Sequence, residues 1–86
     1  MFQPTQTLTV ENAESLLAQG LQAIAQGQNE IDLAQLTKVD SAGVATLLAW
    51  RRAAQAGKKP LQFVNLPANL RSLAELYGVA ELLQAA

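Results

Sequence analysis

Few residues in this chain could carry out chemistry. Ser41 stands between Asp40 and Ala42-Gly43, and a hydroxyl beside a carboxylate first suggests a nucleophile with a helper. An acyl-transfer serine needs a positioned base, most often histidine. The sequence has no His, and Lys38 falls on the strand side with no second serine beside it. Asp32 and Asp40 would form an acid/base pair only if the fold joined them, and solvated strand-end carboxylates are the simpler reading. With no Cys, thiol nucleophiles, disulfides and Cys/His zinc sites are also excluded. The glycines at 20, 27, 43, 57 and 78 are isolated, and none belongs to a GxxxxGK or GxGxxG phosphate loop. The chain is expected to be no enzyme, with no catalytic residue, no cofactor-binding residue and no metal ligand.

Binding is the remaining kind of function, and Asp40-Ser41-Ala42-Gly43 is where the sequence points. Asp40 or Ser41 suits the cap of a helix, accepting a hydrogen bond from a backbone N–H two or three residues on. Val44, Leu47, Leu48 and Trp50 fall on the inward side of that helix. Ala42, Ala45, Thr46, Ala49 and Ala53 then form a strip of short side chains starting beside Ser41. An outward helix face ordinarily carries Glu, Lys and Gln; here the charges wait until Arg51, Arg52, Lys58 and Lys59. Capping accounts for Asp40 and Ser41, but it does not account for the strip. A partner helix approaching closely would.

The elements around this segment alternate. Thr7–Val10 is β-rich, and Phe2-Gln3-Pro4 before it can form at most an edge strand, because Pro4 has no N–H to donate. Ala13, Leu17, Leu21 and Ile24 recur at helical spacing, with Asn12 at the cap position and Gly27 at the stop. Glu30–Leu33 and Leu36–Val39 read as strands, and a helix follows from Ser41 to about Ala56. Leu61–Val64 is a further strand. A helix opens near Pro67 and buries Leu70, Leu73, Leu76 and Tyr77; Gly78-Val79 stops it, and a last turn holds Leu82 and Leu83. Trp50 is expected in the core, and the basic residues after it at a solvated helix end.

Strands separated by helices are joined as right-handed parallel crossovers. The expected architecture is α/β: a small, mostly parallel sheet of about four strands, three of them parallel with an edge hairpin partner, and helices mainly on one face. Residues 1–86 form a single domain. Half of the residues are hydrophobic and 15% are charged, against a usual charged share of about 25%. Some apolar surface is therefore expected to meet a partner. A formal charge of −1 gives no field drawing the chain to nucleic acid or anionic lipid. The start lacks a basic stretch followed by an apolar run, so no signal peptide is read there. The low-polarity stretch Ala42 to Trp50 is about half of the ~18 residues that suggest a membrane span.

Across essentially its whole length the sequence resembles a STAS domain, the fold of bacterial anti-sigma-factor antagonists and of transporter-associated regulators. Within that family it is most similar to the short MlaB-type subunits of Mla phospholipid transporters. The likeness is carried by Leu8-Thr9-Val10-Glu11-Asn12-Ala13, by Val39 to Arg52, and by Phe63 to Ala74. It implies a subunit that contacts the ATPase subunit of an ABC transporter through Ser41, Ala42, Ala45, Thr46 and Ala49, with Arg52 at the rim and Asp40 and Gly43 shaping the motif. Such a protein would be cytoplasmic and peripheral to the inner membrane through its partner. Two other readings accompany this one: an anti-sigma-factor antagonist that binds a kinase-like anti-sigma factor and is switched by phosphorylation of Ser41, and an interaction module that forms a homodimer. In the antagonists many members carry a second serine where this chain has Ala42, which favours the transporter class.

Overall fold

Among the described residues four strands form two two-stranded sheets, each of them parallel. The computed structural model describes residues 2–4 and 6–84. Strand β1 (Gln6–Leu8) pairs with β3 (Leu36–Val39), and β2 (Glu30–Asp32) pairs with β4 (Gln62–Val64). Phe2 forms an isolated parallel bridge to Ile31, and its carbonyl accepts the Asp32 N–H at 3.0 Å. Ile31 is therefore flanked by Phe2 on one edge and by Phe63 on the other. Pro4, buried and without a donor, separates the two contacts that this first segment makes. The expected parallel pairing is present, but as two two-stranded sheets rather than one sheet of about four strands. The expected edge hairpin is absent among the described residues, where β2 and β3 each pair with a different, parallel partner.

The helices gather around α2 (Ser41–Ala56), which touches α1 (Ala13–Ala25), α3 (Ala68–Leu76) and α4 (Ala80–Gln84). The core between helices and strands holds Leu8, Ile31, Leu33, Leu47, Trp50 and Leu70, each buried to within about a hundredth of its surface. Removing side chains of this size from water contributes about 1.5–3 kcal/mol apiece. Trp50 takes the interior place expected of it. Its indole Nε1 donates to the Leu17 carbonyl at 3.0 Å, and Phe2 meets its ring edge-on at 5.4 Å. That fit requires a glycine at position 20, because a β-carbon there would overlap the indole.

Several local expectations are corrected. Asn12 precedes α1, but its side chain turns backward: Oδ1 accepts from the Thr9 N–H, and Nδ2 donates to the Thr7 carbonyl. Pro67 stands one position before the first helical residue of α3, where its missing N–H is harmless. Leu76 and Tyr77 are 76% and 50% exposed, and the buried stripe of α3 is completed instead by Ala74. Gly78 does end α3 in a Schellman arrangement, with φ +72° and the Val79 N–H on the Ala74 carbonyl. At the end of α2 the same arrangement falls one residue later than the sequence suggested. Gly57 keeps a negative φ, and Lys58 takes the left-handed place at φ +54°.

The basic cluster after Trp50 is also not simply solvated. Arg51 is 8% exposed, donating from Nη1 to the Leu61 carbonyl and from Nη2 to the Leu83 carbonyl, and it lies over the Phe63 ring. Lys59 reaches the last carbonyls of α1, donating to Ile24 and Ala25, where a cation complements the helix dipole.

Two substitutions test this packing. Gly20→Ala should lower unfolding free energy by about 1–3 kcal/mol through overpacking, with loss of native Trp50 fluorescence in the melted fraction. Lys58→Gly should raise it by about 0.5–1 kcal/mol, because glycine relieves the left-handed strain but is freer when unfolded. Chemical denaturation of the two variants measures both changes.

Candidate functional site

Ser41 emerges from a joint built by the residue before it. Asp40 has extended backbone and caps α2. Its Oδ1 accepts the Ala42 N–H at 2.9 Å and the Gly43 N–H at 3.2 Å, while Oδ2 accepts the Val10 N–H at 3.0 Å. One carboxylate thus satisfies two donors of the helix end and ties the turn after β1 to the start of α2. Gly43 is required at the same place, because a β-carbon there would come 2.5 Å from the Leu8 carbonyl oxygen. The close approach of α2 to β1 and the cap together fix where Ser41 points. Ser41 itself is exposed.

The flank that starts at Ser41 is partly free and partly used. Ala45 and Arg52 are exposed, Ala42 and Ala49 are half-buried, and Thr46 is 5% exposed. Thr46 therefore does not belong to an outward strip: its hydroxyl donates to the Ala42 carbonyl at 2.8 Å, and it floors the groove between α1 and α2. That groove, about 400 Å³, is walled by Ala13, Glu14, Leu17, Ala42, Ala45 and Ala49, so that it is mainly apolar with one carboxylate at its edge. The short side chains thus serve the packing of α1 against α2 as well as leaving a furrow. A second groove of about 250 Å³ runs along the other side of α2, lined by Ser41, Val44, Ala45, Leu48, Tyr77 and Val79. Ala45 borders both.

Three apolar residues at this end escaped the sequence reading. Val10 is 75% exposed, and its N–H is the one held by Asp40. Tyr77 shares the second groove with Ser41, and Leu76 beside it is bare. The sequence pattern puts Val10 in a strand and the two α3 residues in the core, whereas all three are exposed. The available signal was the helical wheel of α3, on which Leu70, Leu73 and Ala74 already complete a buried stripe and Leu76 lies off it.

The electrostatics of this end do not suit proton transfer. The hydrogen bond from the Val10 N–H is the largest influence holding the Asp40 carboxyl below its ordinary value, aided by the Gly43 and Ala42 N–H groups and the nearby charge of Lys38, and opposed by desolvation. Asp32 is lowered too, first by the Ala34 N–H and then by the Asn65 amide. Both are ionised at neutral pH, and each is engaged with its own donors rather than with the other. A general acid needs the opposite shift. Among the described residues no group of three or more His, Cys, Asp or Glu side chains could hold a metal ion, and no helix is long and apolar enough to cross a membrane.

The structure thus defines a small parallel α/β domain whose most distinctive surface is a capped, uncharged helix start. Residues 5–84 match the protein-family model described as "Mlab, STAS domain", and the chain belongs to that family of STAS domains. No curated protein and no solved structure was found to match the chain.

A carboxyl with a depressed folded-state pKa adds stability above its unfolded pKa and loses it as pH falls through the folded one. Asp40→Asn should therefore melt at a lower temperature than the natural chain at neutral pH. The gap should close on acidification below about pH 4, as Asp40 protonates in the natural chain. Thermal melts across that range check this; a gap independent of pH would contradict it.

Proposed function

We propose that this domain is a non-catalytic subunit that binds the ATPase of an Mla-type phospholipid ABC transporter, stabilising or regulating it through the flank of α2 that begins at Ser41. The observation that carries this reading is the outward surface at the start of α2. From Ser41 to Trp50 the helix has no charged side chain, and an apolar groove lies on each side of Ala45. Membership in the MlaB-type STAS family supports the choice of partner. A specific contact covers about 800 Å² per partner, roughly one-sixth of the 4992 Å² surface of this domain. Ser41, Ala42, Ala45 and Ala49, with Thr46 beneath them and Arg52 at the rim, would supply its centre. The domain would then be cytoplasmic and held at the inner membrane only through its partner.

The exposure of Ser41 at a helix start favours keeping the antagonist reading as the second one. A phosphate there would add about −1.5 to −2 charges, and a helix N-terminus favours anions. Asp40, however, already occupies the Ala42 and Gly43 N–H groups and repels a second anion. The modification would be tolerated at the surface yet too large and too strongly hydrated for a close small-residue contact, so it would release a partner.

The test is capture of the transporter ATPase from the native host by the tagged domain. Ala45→Glu and Ala49→Glu should each weaken the complex by at least about 30-fold, as expected for a carboxylate buried at an interface centre, with the melting temperature nearly unchanged for exposed Ala45→Glu and lowered for half-buried Ala49→Glu. Complexes that survive both substitutions would rule out this surface. Capture of an anti-sigma kinase instead, lost when Ser41 is phosphorylated, would establish the second reading.

A further inference from the structure

Arg51 presents a different problem, at the opposite end of the sheet from Ser41. Arginine stays charged under all conditions a folded protein meets, and it carries five N–H donors. Here it is more than nine-tenths buried, yet among the described residues neither of its hydrogen bonds goes to a carboxylate: Nη1 and Nη2 donate to the Leu61 and Leu83 carbonyls. Nε is buried without a hydrogen-bond partner among the described residues. A buried cation is ordinarily paired, because desolvation of an unpaired charge is costly.

A cavity of about 290 Å³, partly lined by Arg51, lies at the edge where β2 and β4 begin. Its wall includes Arg51, Lys59, Glu30, Asn29 and Gln62. Two cations thus face one carboxylate. Lys59 uses its ammonium on the Ile24 and Ala25 carbonyls, which leaves it one further donor. Glu30 and Gln62 are register partners at the first positions of the two strands, so the polar rim is set by the sheet rather than by a loose loop.

We propose that this cavity is a binding site for a small oxyanion of the phosphate type, free or carried on a small molecule, which supplies the counter-charge that Arg51 lacks among the described residues. The anion accepts from the second N–H of Nη1 or Nη2 and from the remaining Lys59 donor, with the Asn29 and Gln62 amides at its edge. Glu30 works against it and keeps the affinity low. The site is independent of the Ser41 surface, and occupancy leaves that surface untouched.

The experiment is a titration of the full chain followed by nitrogen-15 NMR, reading the Arg51 side-chain Nε–H and the Leu61 and Gln62 amides. Inorganic phosphate and glycerol 3-phosphate are titrated separately at constant ionic strength, with chloride as the control. The expected result is a saturable shift at these groups with a dissociation constant on the order of 1 mM for so small a ligand, and none with chloride. Tighter binding of glycerol 3-phosphate would identify an esterified phosphate as the ligand, and equal binding would identify the free ion. Arg51→Met would disturb the fold, so two rim variants carry the test. Lys59→Gln should weaken binding roughly two- to five-fold and Glu30→Gln should tighten it by a similar factor, the usual range for a partly exposed charge. Shifts that never saturate, shifts matched by chloride, or affinities indifferent to both variants would overturn the proposal.

Discussion

The geometry of the candidate surface depends on one carboxylate. Asp40 receives N–H groups from Ala42 and Gly43 on its own helix and from Val10 in a turn thirty residues earlier. A neutral side chain could cap α2, but it would hold the β1–α1 turn less well, because charge-assisted hydrogen bonds are about twice as strong as neutral ones. Gly43 completes the joint by letting the helix press against the Leu8 carbonyl. With the helix start pinned to β1, Ser41 and Ala45 are presented on a rigid base, and Val10 is brought beside them. Without that joint the same residues would lie on a fraying helix end.

The two ends of α2 divide the work of the molecule. At the Ser41 end the helix gives its exposed positions to small, uncharged side chains and leaves grooves on both sides. At the far end Arg51 spends its donors on the Leu61 and Leu83 carbonyls, and Lys59 spends its own on the end of α1. Between them Trp50 and Gly20 lock α1 to α2. Alanines in α2 therefore have two roles. They narrow the α1–α2 seam, and on the outer side they leave an apolar flank that a docking subunit would need.

Much of this was legible in the sequence, for identifiable reasons. The parallel α/β order followed from strands separated by helical periodicity, and the Asp40 cap followed from residue type and position. The STAS likeness read from three stretches agrees with the family match over residues 5–84. Other features were hidden because they depend on tertiary contacts. Nothing local says that Arg51 turns inward while Arg52 stays out, since that depends on carbonyls ten and thirty-two residues away. Thr46 reads as a surface residue by type, but its hydroxyl can satisfy itself on the Ala42 carbonyl and so be buried at little cost. Leu76 and Tyr77 read as core because they are apolar, whereas Ala74 had already filled that side of α3.

The most direct measurement is site-specific photocrosslinking in the native host, with a benzophenone amino acid in place of Ala45 and, separately, in place of Lys58. Ala45 lies near the start of α2 and Lys58 just past its C-terminal end, so the two are separated by the roughly 16 Å of helix from Ala45 to Ala56. The account predicts a crosslink from position 45 to the transporter ATPase and none from position 58. A crosslink to that ATPase from position 58 alone would contradict it.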